Sequence, residues 1–430
     1  MTDDSTGTPL SRRAFLGTAA LGTAVVGGAA AGGIRLGSAG RADSADADEA
    51  RPAPSRGFRG NHQIGVLEHP RPHGLLAAFT CVDTDRTALR ETFRELSEEV
   101  DGLLSGRAPA DTDRALPPSD NGVLEEVTDP GLMATVSVGA SLFDRRYGLA
   151  DRKPRELVTM PFLANDRLDP ARSHGDVLIA LQGKEPDVCV HALRQMMRRT
   201  RSGLVLKWMQ DTFTRPDAIP RVGQTQSRNL LGFKDGTANP DAGDEALMNT
   251  LVWTQPADAA VTATNREPAW TVGGTYQVVR VIRMMVERWD RASLDEQEEI
   301  FGRRKVTGAP LSGKAETDIP EYANDPAGEV IPLTAHIRLA NPRDGRTKDK
   351  VLVRRGMSYS RGVDSAGLLD QGLAFVSYQR RLSHFLEAQE RLKGEPLEEY
   401  LRPEGGGFFF VLPGVVEIGD FLGRALFDAR

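Results

Sequence analysis

The chain has 430 residues, a net charge of −6 and the apolar and charged fractions of an ordinary soluble protein, so it can hold two or three domains with their own cores. Its 54 basic residues fall short of its 60 acidic ones, which argues against a nucleic-acid footprint and against attraction to anionic membranes and favours small-molecule partners. Two cysteines, Cys81 and Cys189, both in apolar runs, argue against a disulfide framework or a zinc-thiolate cluster and leave one bridge between them as the alternative.

At the N-terminus, "SRRAFLG" sets Arg12 and Arg13 before an Ala/Gly-rich apolar run that reaches about Gly33, the layout of a charged region followed by an apolar one. Paired arginines followed by Phe15 and Leu16 resemble a twin-arginine signal, an address read by export machinery. A weak membrane anchor is the competing reading, disfavoured by a run that is short for a span and poor in Leu and Ile. Cleavage is expected after "ADA" (45–47), with "SAG" (38–40) competing, so residues 1–47 read as signal and start of a linker and 48–57 as polar linker. Such a protein is delivered to the periplasm or the exterior, folded and with any cofactor already inserted.

Strand and helix signals then alternate. "GLLAAFTCV" (74–82) is a buried strand, and Leu89, Phe93, Leu96, Val100 and Leu103 follow at helical spacing. "ATVSVGAS", "DVLIALQG" and "GLVLKWM" read as strands, with "DVCVHALRQMMRRT" a helix between the last two. A second half repeats the pattern, with strand "TYQVVRVIRMMV" (275–286), helix "SLDEQEEIFG", strand "LAFVSYQ" (373–379), a helical stripe of Leu382, Phe385, Leu386 and Leu392, and closing strand "GGFFFVLPG". Each half is an antiparallel sheet with helices on one side, an α+β arrangement. Turn-rich sequence between about 235 and 270 marks the boundary, set at 250/251.

"GFKDGTANP" (232–240) holds Asp235 between glycines, which let a backbone turn sharply and approach a ligand closely. An EF-hand is excluded, because Pro240 and Ala246 stand where Gly and a bidentate Glu are needed, and no Walker lysine follows. An Asx-type turn capping a loop is the bland reading of this acid. Among seven histidines no spacing makes a metal cluster; His69 and His73 are separated by Pro70 and Pro72, which forbid the helix that would align them. His336 stands alone in "LTAHIRLANPR", where a hydrogen-bonded structural role is the ordinary reading, yet one axial His is all that haem requires of a protein.

Several long motifs occur in one order: "NHQIGV", "LDPARSHGDVLIAL", "GFKDGTANP", "GTYQVVRVIRMMVERWDR", "FGRRKVTGAPLSG", "HIRLANPR", "RRGMSYSRG" and "EEYLRPEGGGFFFVLPG". Together they resemble the dye-decolourising peroxidase family, in particular its exported subgroup associated with iron uptake, from about residue 58 to the C-terminus. The resemblance implies two ferredoxin-like domains, 58–250 and 251–430, with one haem b per chain bound mainly by the second. Hydrogen peroxide would then oxidise small organic donors such as dyes and phenolics, and a homo-oligomer is compatible with the family.

Carried over motif by motif, the resemblance makes Asp235 the distal acid of a G-x-x-D-G motif and Arg354 the distal arginine, with Arg355 as the competing register. His336 matches the proximal iron ligand. Glu399, an acid followed by the aromatic Tyr400, matches the group that hydrogen-bonds that ligand, and Phe375 matches a wall of the distal pocket. These roles are chemically coherent: a carboxylate moves the peroxide proton, and a guanidinium stabilises the charge on the departing oxygen and keeps the carboxylate ionised. An acid on the proximal imidazole N–H makes that ligand more electron-rich. Trp208, Trp253, Trp270 and Trp289 are candidate electron relays whose ordinary role is packing. Two rivals use the same pocket: an exported haem-handling protein that releases iron from haem, and a haem carrier without activity. The long segment 303–330 is where donor specificity is expected.

Overall fold

The computed structural model describes residues 57–106, 111, 113–124, 131–215 and 227–428; the signal at 1–47 and all but the last residue of the 48–57 linker lie outside the described residues. The first half runs β1 (His73–Cys81), α1 (Arg86–Leu104), β2 (Met133–Gly139), β3 (Val177–Gly183), α2 (Pro186–Arg199) and β4 (Leu204–Phe213), followed by α3 (Glu245–Leu251). The second runs β5 (Thr275–Met284), α4 (Val286–Trp289), α5 (Leu294–Phe301), α6 (His336–Ala340), β6 (Val353–Arg354), β7 (Met357–Val363), β8 (Leu369–Gln379), α7 (Leu382–Leu392), β9 (Leu401–Val411) and α8 (Arg424–Asp428).

Local chemistry starts these elements where the sequence says it should. The Asp85 carboxylate accepts from the N–H groups of Thr87 and Ala88 and opens α1, whose buried face carries Leu89, Phe93, Leu96 and Val100. Pro186 occupies the first turn of α2, where its missing N–H leaves no bond unmade. Ser293 caps α5, and Gly302 closes it in the left-handed conformation.

Within the first half the strands lie in the order β2-β3-β1-β4, and within the second in the order β7-β8-β5-β9. Numbered inside their own half, both are 2-3-1-4 and antiparallel, the β-α-β-β-α-β arrangement of a ferredoxin-like unit. The two sheets are not separate. β2 pairs with β9 (Val138 opposite Phe410) and β4 pairs with β7 (Phe213 opposite Ser358), closing both halves into one ring of strands, with β6 extending the β7 edge on β8. The expected boundary at 250/251 falls at the last residue of α3.

Closure gives the sheet two apolar faces. Leu76, Ala78, Val279, Val376 and Phe409 fill the ring interior, while Leu75, Phe79, Leu89, Phe93 and Phe385 pack under the helices outside. Both cysteines are buried and free. All four tryptophans are buried, and Trp208, Trp270 and Trp289 each donate the ring N–H to a backbone carbonyl. No helix among the described residues is long and apolar enough to cross a membrane.

His384 on α7 carries a testable consequence of burial. Desolvation pushes its pKa down to about 4, with Glu156 and Glu387 opposing and Lys350 and Arg381 assisting. The folded state thus holds a neutral ring that the unfolded chain protonates near 6.5. Stability is lost as pH falls from about 6.5 toward 4, by up to roughly 3 kcal/mol. Urea unfolding at about pH 7 and pH 4.5 is expected to show a smaller acid loss for His384→Gln than for the native protein.

Candidate functional site

The "GFKDGTANP" loop lies beside the edge where β6 pairs with β8. Gly232 and Gly236 take φ of 87° and 103°, values that a side chain disfavours, and so let the chain double back on either side of Asp235. The Asp235 N–H donates to Ser227 O at 3.0 Å, and the Asn239 N–H to Gly236 O at 2.8 Å. Across the gap, Arg354 donates from Nη1 to Asp235 Oδ1 at 2.8 Å. Asn239 fixes that arginine from behind: its Nδ2 donates to Arg354 O at 2.7 Å while its Oδ1 accepts the Arg354 N–H at 3.0 Å. One amide therefore replaces a missing strand partner, and the orientation is set because the backbone offers one donor and one acceptor. Arg355, the alternative register, turns the other way and is buried beside Tyr378.

His336 opens α6, a helix of five residues. Its Nδ1 donates to Glu395 Oε2 at 2.8 Å, and that carboxylate is only 5 % exposed. Burial lowers the proton affinity of the ring, but the Glu395 charge and hydrogen bond outweigh it and hold His336 above its ordinary pKa. With Nδ1 engaged, Nε2 is the nitrogen left for a ligand.

Glu395 replaces the expected Glu399, and the reason is local. Pro396 begins a 3-10 turn, Pro396–Tyr400, and Glu395 precedes it with extended backbone. Glu399, inside the turn, has its carboxylate 61 % exposed and paired with Arg288. The acid-aromatic pattern thus pointed to the right segment but to the wrong one of its acids. Pro396 was the available signal, since it ends the extended stretch at Glu395.

Asp235, Arg354, His336, Glu395 and Phe375 all line one cavity of about 570 Å³, a size suited to a cofactor. Its walls are apolar, among them Leu231, Ile282, Met284, Leu373, Phe375 and Phe385, with the cations Arg303, Arg343 and Lys350 also on the lining. Such a lining suits a largely apolar ligand that carries acidic substituents, and the donor set suits a metal that needs one protein nitrogen. Among the described residues no group of three or more His, Cys, Asp or Glu could hold a bare metal ion. The first half contributes as well: Phe162, Leu163, Ala164 and Asn165 reach the cavity, and Asn165 is tied to the 3-10 turn through Nδ2 bonds to Glu398 O and Leu401 O.

Both halves of the chain resemble known proteins. Residues 63–214 match the family profile described as Dyp-type peroxidase, N-terminal, and residues 226–416 the profile described as Dyp-type peroxidase, C-terminal. The deferrochelatase of Escherichia coli strain K12 is 47 % identical over 372 residues, 86 % of each chain. Among solved structures, ferric DtpA from Streptomyces lividans superposes with a TM-score of 0.77 at 32 % identity, covering 86 % of this chain and 96 % of that one. A DyP-type peroxidase from Cellulomonas bogoriensis superposes at 0.75 with 32 % identity, covering 86 % and 97 %.

The assignment of the two glutamates can be tested without a ligand. In the cofactor-free protein, Glu395→Gln is expected to lower the His336 pKa below its native value, because the raising charge is removed while burial persists. Glu399→Gln is expected to leave it unchanged; a proton NMR titration of the His336 ring measures both.

Proposed function

The chain belongs to the Dyp-type peroxidase family and is a haem b peroxidase, and on that premise we propose that His336 is the proximal iron ligand while Asp235 and Arg354 assist cleavage of hydrogen peroxide. When bound, haem would supply the redox-active iron that links peroxide to organic donors such as dyes and phenolics. The observation that carries the reading is the Asp235–Arg354 contact of 2.8 Å on the same cavity as a histidine whose other nitrogen is already engaged.

Asp235 takes the peroxide proton and returns it to the departing oxygen, which then leaves as water. Arg354 pairs with that carboxylate at 2.8 Å and stabilises the negative charge that grows on the departing oxygen. Asn239 holds the backbone of Arg354 in place, and Glu395 orients His336 and raises its basicity. The ligand set comes chiefly from 251–430, with Asp235 supplied from the end of the 58–250 half.

A second reading, release of iron from haem, is favoured by the name deferrochelatase borne by relatives 47 % identical. It uses the same pocket, so one experiment separates the two. Rapid mixing of haem-loaded protein with peroxide is expected to give a fast absorbance change in the native protein. Asp235→Ala slows that reaction by about 10²- to 10⁴-fold and Arg354→Leu by about 10²- to 10³-fold. An unreactive native protein sinks the peroxidase role, and iron-free porphyrin fluorescence among the products supports iron release. His336→Ala is expected to lose the native axial-ligand spectrum; retention of that spectrum overturns the ligand assignment.

We further propose export by the twin-arginine route to the periplasm or the exterior, on the strength of Arg12 and Arg13 preceding the apolar run. Replacing both arginines with lysine is expected to leave the precursor in the cytoplasmic fraction.

A further inference from the structure

Segment 303–330 is expected to shape donor specificity, but its most buried carboxylate does something else. Glu316 has a side chain 5 % exposed, and its Oε2 pairs with Lys234 Nζ, itself 1 % exposed. Its Oε1 accepts from Thr237 Oγ1 at 3.0 Å. One carboxylate therefore grips the residue before Asp235 and the residue two places after it.

The grip is built from the cavity wall outward. Arg303 donates from Nη1 to Glu316 O at 3.0 Å and to Gly308 O at 2.6 Å, so the backbone that presents Glu316 is fixed. Gly308 sits at φ +79°, and a Cβ there would stand 2.6 Å from Lys234 Cδ, so the segment closes on the lysine stem with no room to spare. Lys305 anchors the same segment to α5 through its N–H to Glu298 Oε1 at 2.8 Å and its Nζ to Gln297 Oε1 at 2.6 Å. Arg228 Nη2 donates to Val306 O at 2.7 Å, which ties the chain leading into the loop to the same sleeve.

From this geometry we propose that Glu316 is a positioning residue for Asp235, holding its carboxylate in register with Arg354; the inference rests on the reading of Asp235 as the proton acceptor. The Asp235 N–H bond to Ser227, the Arg354 contact and the two Asn239 bonds to the Arg354 backbone hold the loop beside β6. Glu316 holds it from segment 303–330, through the residues that flank Asp235. It also pairs with the buried ammonium of Lys234, so that charge is balanced within the grip.

The test uses the haem-loaded full chain and four variants: Glu316→Gln, Glu316→Asp, Thr237→Val and Asp235→Asn. Two readouts are taken: cyanide affinity by absorbance titration, which requires a distal base to accept the proton of hydrogen cyanide, and the rate constant for reaction with peroxide. Glu316→Gln is expected to weaken cyanide binding and slow the peroxide step by roughly 10- to 100-fold, with the KM for an organic donor unchanged. Glu316→Asp recovers most of both, because a carboxylate is restored, and Thr237→Val falls between. Native cyanide affinity and peroxide rate in Glu316→Gln, beside a defective Asp235→Asn, overturn the positioning role and leave the Asp235 reading standing. An undisturbed Asp235→Asn overturns that reading instead. Should Glu316→Gln fail to hold haem, Thr237→Val decides, since it keeps the buried ion pair: native values there overturn the proposal.

Discussion

Successive residues of β8 face opposite sides of a closed sheet, and that alternation divides a largely apolar ring interior from the ligand cavity. Ala374, Val376 and Tyr378 point into the ring, whereas Leu373 and Phe375 line the cavity. The neighbouring β5 repeats the division, with Val279 inside and Arg280, Ile282 and Met284 on the cavity side. On the other flank, Arg354 reaches Asp235 and Arg355 is buried beside Tyr378. A slip of one residue in this region would exchange the two arginines and turn the aromatic wall inward. Closure of the ring prevents it, because β8 is paired along most of its length with β5 on one side and with β6 and β7 on the other.

The two sides of the cavity are held by different physics. α6 is too short to be a stable helix in isolation, so the position of His336 depends on packing and on Glu395 rather than on helix propensity. Glu395 is held by the Pro396 turn, and that turn is tied by Asn165 to the first half of the chain. Asp235 and Arg354, by contrast, are a partly exposed ion pair, 25 % and 31 % open. Its Coulomb energy alone is modest at that exposure. What makes the pair useful is fixed geometry, supplied by Asn239 behind the arginine and by the sleeve of segment 303–316 around the acid.

Long apolar runs and helical stripes made most strands and helices legible, since burial on one or both faces leaves a period that composition cannot hide. The short strands β6 and β7 were visible only as the motif "RRGMSYSRG", because Arg355 and Gly356 break the alternation between them. Closure of two sheets into one ring was not legible, since pairing between Val138 and Phe410 depends on residues 272 positions apart that carry no mark of each other. Asp235, Arg354 and His336 stand in motifs and line one cavity, whereas Glu395, the acid that bonds His336, was missed because two more acids follow within four residues and only the turn started by Pro396 tells them apart. Asn239 stands inside the motif "GFKDGTANP", yet its role needs a partner 115 residues away.

A buried Lys–Glu pair such as Lys234–Glu316 is a poor source of stability, because taking both charges out of water costs about as much as their attraction returns. An apolar pair of similar volume would hold the loop to the sleeve as firmly, but it would not choose where the loop sits. A carboxylate with two oxygens committed, one to Lys234 and one to Thr237, ties both flanks of the segment between them at once. Asp235 lies in that segment, and a proton transfer tolerates little displacement of the group that accepts it. On the proposed reading of Asp235, the segment expected to decide which donors are oxidised also bears on how peroxide is cleaved, through Glu316, while its Pro320 and Tyr322 line the cavity.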